Sequence, residues 1–147
     1  MKKLLLILTL SILSFASTVP NNSVVKIFTT ATSPNYLEPW ENQSFSNATG
    51  SGVIIKDNQI LTSAHVVSGG KFIEVQKEND SKKYDATVKY ISNDVDLAIL
   101  EVNDKTFFAD TKPLEISEDI KIKDSVTAIG YPVGGNTLST TNGIVSR

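Results

Sequence analysis

Cysteine is absent from this 147-residue chain, so it can build no disulfide, no thiol nucleophile and no thiolate metal site. Histidine occurs once, as His65, which leaves no set of several His or Cys ligands for a protein zinc site. Basic charge is thin. Fourteen Lys and Arg stand against 16 Asp and Glu, a net charge of −2, and past the first residues the only adjacent basic pair is Lys82-Lys83. That pair lies in a polar stretch and is predicted to be a solvated turn rather than a phosphate site. With no basic cluster, nucleic acid is not an expected partner. Long apolar runs are also missing beyond the N-terminal segment, and a membrane-crossing helix needs ~20 apolar residues. Without cross-links, the fold must be held by its apolar core.

The first residues do not read as part of that fold. Lys2 and Lys3 provide a positive start, and Leu4 to Phe15 is apolar except for Thr9, Ser11 and Ser14. Ser14 and Ala16 are small residues suitably placed for cleavage after Ala16. This predicts a secretory signal peptide over residues 1–16. The alternative is an uncleaved amphiphilic anchor. The mature chain would begin at Ser17, lose Lys2 and Lys3, and carry a net charge of −4. It would be one small exported domain, periplasmic or secreted, with no stable membrane span after signal cleavage.

The mature sequence is punctuated for strands. Apolar residues alternate or cluster in short runs bounded by Gly, Asn, Asp, Ser and Pro. Strands are predicted near Val24–Thr29, Gly52–Lys56, Gln59–Thr62, Phe72–Gln76, Ala86–Ile91, Leu97–Val102, Val126–Tyr131 and Leu138–Val145. Asp57-Asn58 predicts a tight hairpin turn, and Glu78–Lys83 a longer polar connection. Thr32–Asn47 predicts a long loop whose Tyr36, Trp40 and Phe45 pack on the edge of the sheet. Short helical turns are expected only at Ala64–Ser68 and Lys105–Asp110. The pattern is all-β, but it does not choose between a sandwich and a closed barrel. The charged segment Glu118–Asp124 suggests a boundary. The two strands after it would form a pair only marginally stable on its own, a sign of an incomplete chain.

Two features could carry chemistry. Thr62-Ser63-Ala64-His65 follows an apolar strand and precedes a short turn, a position from which an imidazole can face a cleft. A histidine can serve as a general base near neutral pH, but it can equally be a hydrogen-bonded structural residue. Asp94-Val95-Asp96 runs directly into the apolar Leu97-Ala98-Ile99-Leu100. A carboxylate buried there needs a partner, whereas a solvated turn residue does not. Asp94 and Asp96 share one parity, so alternation cannot separate them. Asp96 adjoins the apolar run and is favoured for the inward role. The glycine-rich Gly130–Gly135 lacks the Gly-Lys-Ser/Thr ending of a phosphate loop, and Pro132 removes one backbone N–H, so a turn between strands is expected. Asn142-Gly143 could be a hairpin turn or a bulge.

Taken together, Gly50-Ser51-Gly52-Val53-Ile54-Ile55, Ile60-Leu61-Thr62-Ser63-Ala64-His65-Val66-Val67 and Asp96-Leu97-Ala98-Ile99-Leu100 resemble the HtrA/Deg branch of the trypsin-like serine proteases. Val126-Thr127-Ala128-Ile129-Gly130-Tyr131-Pro132-Val133-Gly134-Gly135, followed by Asn142-Gly143-Ile144-Val145-Ser146, resembles the start of that family's second barrel, and that resemblance puts Gly143 within or near a strand. The resemblance spans about Val24 to Arg147. It implies a chymotrypsin-like pair of antiparallel β-barrels, with the first nearly complete over residues 17–120 and the second only begun over 121–147. The family's catalytic histidine falls on His65 and its aspartate on Asp96. Its serine lies in a Gly-x-Ser-Gly-Gly segment, which these 147 residues do not contain. Ser51 belongs to a different block, upstream of His65, and does not match the nucleophile.

The resemblance further implies a serine endopeptidase acting on unfolded or damaged exported polypeptides, with no cofactor and with trimers as a family habit. The chain alone, lacking the serine, is expected to be inactive. Two alternatives stand beside this: a protease-like module that only binds polypeptides, and a truncated inactive product.

Overall fold

The structure, a computed structural model, describes residues 21–32, 36–38, 40 and 44–146. The predicted signal peptide, residues 1–16, lies outside the described residues. Among the described residues, eight strands form two sheets. β1 (Val24–Thr32), β2 (Phe45–Ile55), β3 (Gln59–Thr62), β4 (Gly70–Lys77), β5 (Lys83–Ser92) and β6 (Leu97–Val102) close into one antiparallel barrel in the order β1-β2-β3-β6-β5-β4. β7 (Ser125–Gly130) and β8 (Ser139–Ile144) form a separate two-stranded sheet. A four-residue helix, α1 (Ala64–Val67), links β3 to β4, and a 3-10 turn at Lys105–Phe108 follows β6.

Strand alternation builds the barrel interior. Val25 and Ile27 of β1 are fully buried, as are Ile54, Ile60, Val75 and Leu100 from the other strands. Phe107, on the 3-10 turn, is also fully buried and meets Tyr84 edge to face with centroids 5.0 Å apart. Removing this apolar surface from water is the main favourable contribution to the fold. Closing the ring gives every strand of the barrel two neighbours, so none is an edge strand along its whole length. The closed ring is the barrel that the family resemblance implies, where strand patterning alone left a sandwich open.

Turn chemistry follows the sequence. Asp57 and Asn58 both take positive φ, 65° and 56°, as a primed hairpin turn between β2 and β3 requires. Asp and Asn tolerate this left-handed region better than other non-glycine residues. Residues 131–138 form the turn between β7 and β8, closed in part by the Gly135 N–H donating to the Pro132 carbonyl at 2.9 Å. Asn142 and Gly143 form neither a turn nor a bulge. They lie inside β8 in unbroken register, opposite Thr127 and Val126.

Three expectations need correction. β2 starts at Phe45, seven residues earlier than predicted, and pairs Phe45–Asn47 with Thr30–Thr32 of β1. The backbone ladder continues where the side chains are polar and exposed, so hydrophobic alternation gave no signal. Tyr36, Trp40 and Phe45 are 86%, 81% and 65% exposed and do not pack on the barrel edge. β3 pairs with β2 only at Val53–Ile55, so this end of β2 projects beyond the closed ring, away from the core. Finally, Lys82 and Lys83 are exposed as expected, but Lys83 opens β5 instead of lying in the turn, and both make surface ion pairs. Lys82 Nζ lies 3.1 Å from Asp104 and over the Tyr84 ring, and Lys83 Nζ lies 3.1 Å from Glu74 and over Phe28.

Candidate active site

His65 is the second residue of α1. Ser63 precedes the helix in extended conformation, and the Ser68 N–H donates to the Ala64 carbonyl at 2.9 Å to close the turn. Ala64 and Val67 are buried in the barrel and Val66 packs against its core. A single helical turn cannot bury all its faces. With Ala64 and Val67 inward, His65 is left outward, its side chain 73% exposed.

Gly50 permits this packing. A Cβ on Gly50 would lie 2.6 and 2.7 Å from the two methyl groups of Val66 and 3.2 Å from its Cβ. Val66 is β-branched and has little χ1 freedom to move aside. The Gly50-Ser51-Gly52 block therefore has a steric role beneath the histidine helix.

Asp96 closes the turn that precedes β6. Its N–H donates to the Asn93 carbonyl at 3.3 Å, and its backbone is left-handed, φ 52°. One carboxylate oxygen, Oδ1, accepts the His65 backbone N–H at 2.8 Å. The other, Oδ2, lies 2.7 Å from His65 Nδ1. The carboxylate against His65 is that of Asp96; Asp94 sits exposed in the preceding turn. The inward placement expected of Asp96 is only partial, since its side chain is 50% exposed. Its charge is met by donors rather than hidden from water.

These contacts fix the proton positions. The His65 backbone N–H is the main influence holding the Asp96 carboxyl below its ordinary value, followed by the His65 ring. An ionised carboxylate only accepts hydrogen bonds, so Nδ1 must carry the hydrogen. In the neutral imidazole, Nε2 is then the unprotonated nitrogen and can accept a proton. Such a pair has the geometry for a base and a carboxylate that orients it. Among the described residues, no three His, Cys, Asp or Glu side chains cluster as a metal-binding group.

Ser51 is engaged elsewhere. Its Oγ accepts the Tyr131 N–H at 2.7 Å, tying the barrel to the end of β7. Sequence patterning gave no sign of two features: the use of the His65 main-chain N–H as a carboxylate donor, and the steric dependence of α1 on Gly50. Both depend on which strands become neighbours.

Comparison with known proteins agrees with this arrangement. A family model described as a trypsin-like peptidase domain matches residues 50–147. The chain is 44% identical over 126 residues to Protease Do-like 4, mitochondrial, of Arabidopsis thaliana, covering 86% of this chain and 24% of that protein. It is 44% identical over 124 residues to the Serine protease DegP homolog of Plasmodium falciparum, covering 84% and 14%. Against Putative protease Do-like 6, chloroplastic, of Arabidopsis thaliana, the identity is 40% over 129 residues, covering 88% and 58%. The chain thus spans about a quarter or less of the first two relatives. Among solved structures, the active form of the Rv3671c protease of M. tuberculosis aligns with a TM-score of 0.65 and 29% identity, covering 84% of this chain and 48% of that one. The closed barrel is that of the chymotrypsin-like fold. A family match over more than half its length places the chain among the trypsin-like peptidases, in the branch that holds the Do-like and DegP proteases.

Proposed function

We propose that this chain carries the proton-handling half of a serine endopeptidase site, with His65 as general base and Asp96 as the residue that orients it. The observation that supports this most directly is the two-point contact of Asp96 with His65, at 2.8 Å to the main chain and 2.7 Å to Nδ1. In serine protease chemistry, the histidine takes the proton of the attacking hydroxyl and passes it to the leaving amine. The aspartate holds the tautomer and stabilises the imidazolium. The nucleophile and the oxyanion donors around it belong to a Gly-x-Ser-Gly segment that is absent from these 147 residues. Residues 17–120 then form the first barrel, and residues 121–147 the opening strands of the second.

The substrates in this proposal are unfolded or damaged polypeptides outside the cytoplasm, reached through export directed by residues 1–16. Assembly into a homo-oligomer is part of the same proposal. The chemistry needs no cofactor.

The test uses unfolded casein. The purified 147-residue chain should show no His65-dependent turnover. Clear cleavage lost on His65→Ala would overturn the need for a serine from outside these residues. In a chain extended to include a Gly-x-Ser-Gly segment, Asp96→Asn should lower turnover on the order of 10⁴-fold and Asp94→Asn far less. A larger loss from Asp94→Asn would reassign the orienting carboxylate.

A further inference from the structure

The β7–β8 sheet meets the barrel through an unusual set of contacts. On β1, Val25, Ile27 and Thr29 face the interior, so alternation sends Lys26 outward. Lys26 is nevertheless only 5% exposed. The turn at residues 131–138 covers it. Lys26 Nζ donates to the Gly135 carbonyl at 2.7 Å and to Asn136 Oδ1 at 2.8 Å. Glu78, just after β4, holds the two ends of the same turn. Its carboxylate accepts the Tyr131 hydroxyl at 2.6 Å, and the Leu138 N–H approaches its other oxygen at 3.5 Å.

We propose that Lys26 and Glu78 form a polar clasp that sets where the β7–β8 sheet docks on the barrel. They act as positioning residues for whatever the second sheet carries, and this holds whether or not the chain serves a protease.

Three observations support the clasp over apolar packing. First, the apolar contact at this junction is incomplete: β7 touches β1 and β2, but a cleft of about 350 Å³ opens beside that contact, lined by Val24, Leu61, Leu114 and Ile129 together with the polar Ser51 and Thr62. A second cleft, of about 470 Å³, borders Lys26 and Glu78, so it is their hydrogen bonds rather than close packing that hold the turn. Second, the residues of β7 and β8 are mostly exposed, so little apolar area is buried there. Third, an ammonium sheltered from water is costly unless hydrogen-bonded, and hydrogen bonds from charged groups are the stronger kind. Here the acceptors on the turn offset that cost, and they are lost if the turn leaves. The Tyr131 hydroxyl is held protonated well above its ordinary value, by burial first and Glu78 second. Gly130 assists: a Cβ there would lie 2.9 Å from Ser51 Oγ, the atom that accepts the Tyr131 N–H.

Amide hydrogen exchange on the 147-residue chain tests the clasp, with Lys26→Met, Glu78→Gln and Tyr131→Phe as variants. Each should speed exchange at Tyr131, Leu138 and along β7 and β8 by about tenfold, while amides of Ile27 and Leu100 stay within about twofold. Tyr131→Phe changes only the turn side, so it tests the idea even if a barrel variant fails to fold. Unchanged protection over residues 125–146 in Tyr131→Phe and in every variant that folds would overturn the clasp. So would barrel amides losing protection in step with the sheet, which would make these residues general stabilisers instead.

Discussion

Asp96 combines an uncommon backbone conformation with an uncommon task. A non-glycine residue at φ 52° is disfavoured, though Asp pays less than most. In this turn that conformation accompanies a carboxylate that reaches both the main chain and the ring of His65. The sequence marks both residues, because each adjoins an apolar strand in a recognisable block. It could not choose firmly between Asp94 and Asp96, since parity is blind to a left-handed residue that ends the turn. A pH prediction belongs at this scale. The Asp96 carboxyl sits below its ordinary 3.8 in the folded chain. Its pairing therefore contributes stability above that value and loses it as pH falls through the lower folded value. A carboxyl ¹³C NMR titration should place the Asp96 midpoint below 3.8. A midpoint at or above 3.8 would mean that the His65 donors do not hold the carboxylate in solution.

At the scale of elements, α1 shows how a short segment is held by its neighbours. Four residues cannot sustain a helix by propensity alone, so its position depends on the packing of Ala64, Val66 and Val67. Gly50→Ala should cost about 1–3 kcal/mol through overpacking against Val66. Adding Val66→Ala should return much of that loss in urea unfolding. If the double variant is no more stable than Gly50→Ala alone, Val66 is not the obstacle. The short strands β3 and β6 were legible in the sequence to the residue, because their apolar runs coincide with their ladders. The first half of β2 was not. There the ladder runs through Ser46, Asn47 and Thr49, whose side chains carry no burial signal.

For the whole molecule, eight strands could be counted from strand patterning, but ring closure was legible only through the family resemblance, because it depends on β1 pairing with both β2 and β4. Leu100 lies fully buried in the closed ring. Leu100→Ala should cost about 2–5 kcal/mol, seen as a lower urea midpoint. A loss under about 1 kcal/mol would mean the interior collapses around the gap. The strand order also has a consequence for a chain emerging from the ribosome. β1 can pair with β2 and β4 once residue 77 is out, which gives an open curved sheet ending in β3 and β4. Only the β5–β6 hairpin bridges that gap, and it brings Asp96 with it. The last stave of the ring thus delivers the partner of His65, and the chain's single imidazole becomes a built-in gauge of whether the barrel has shut.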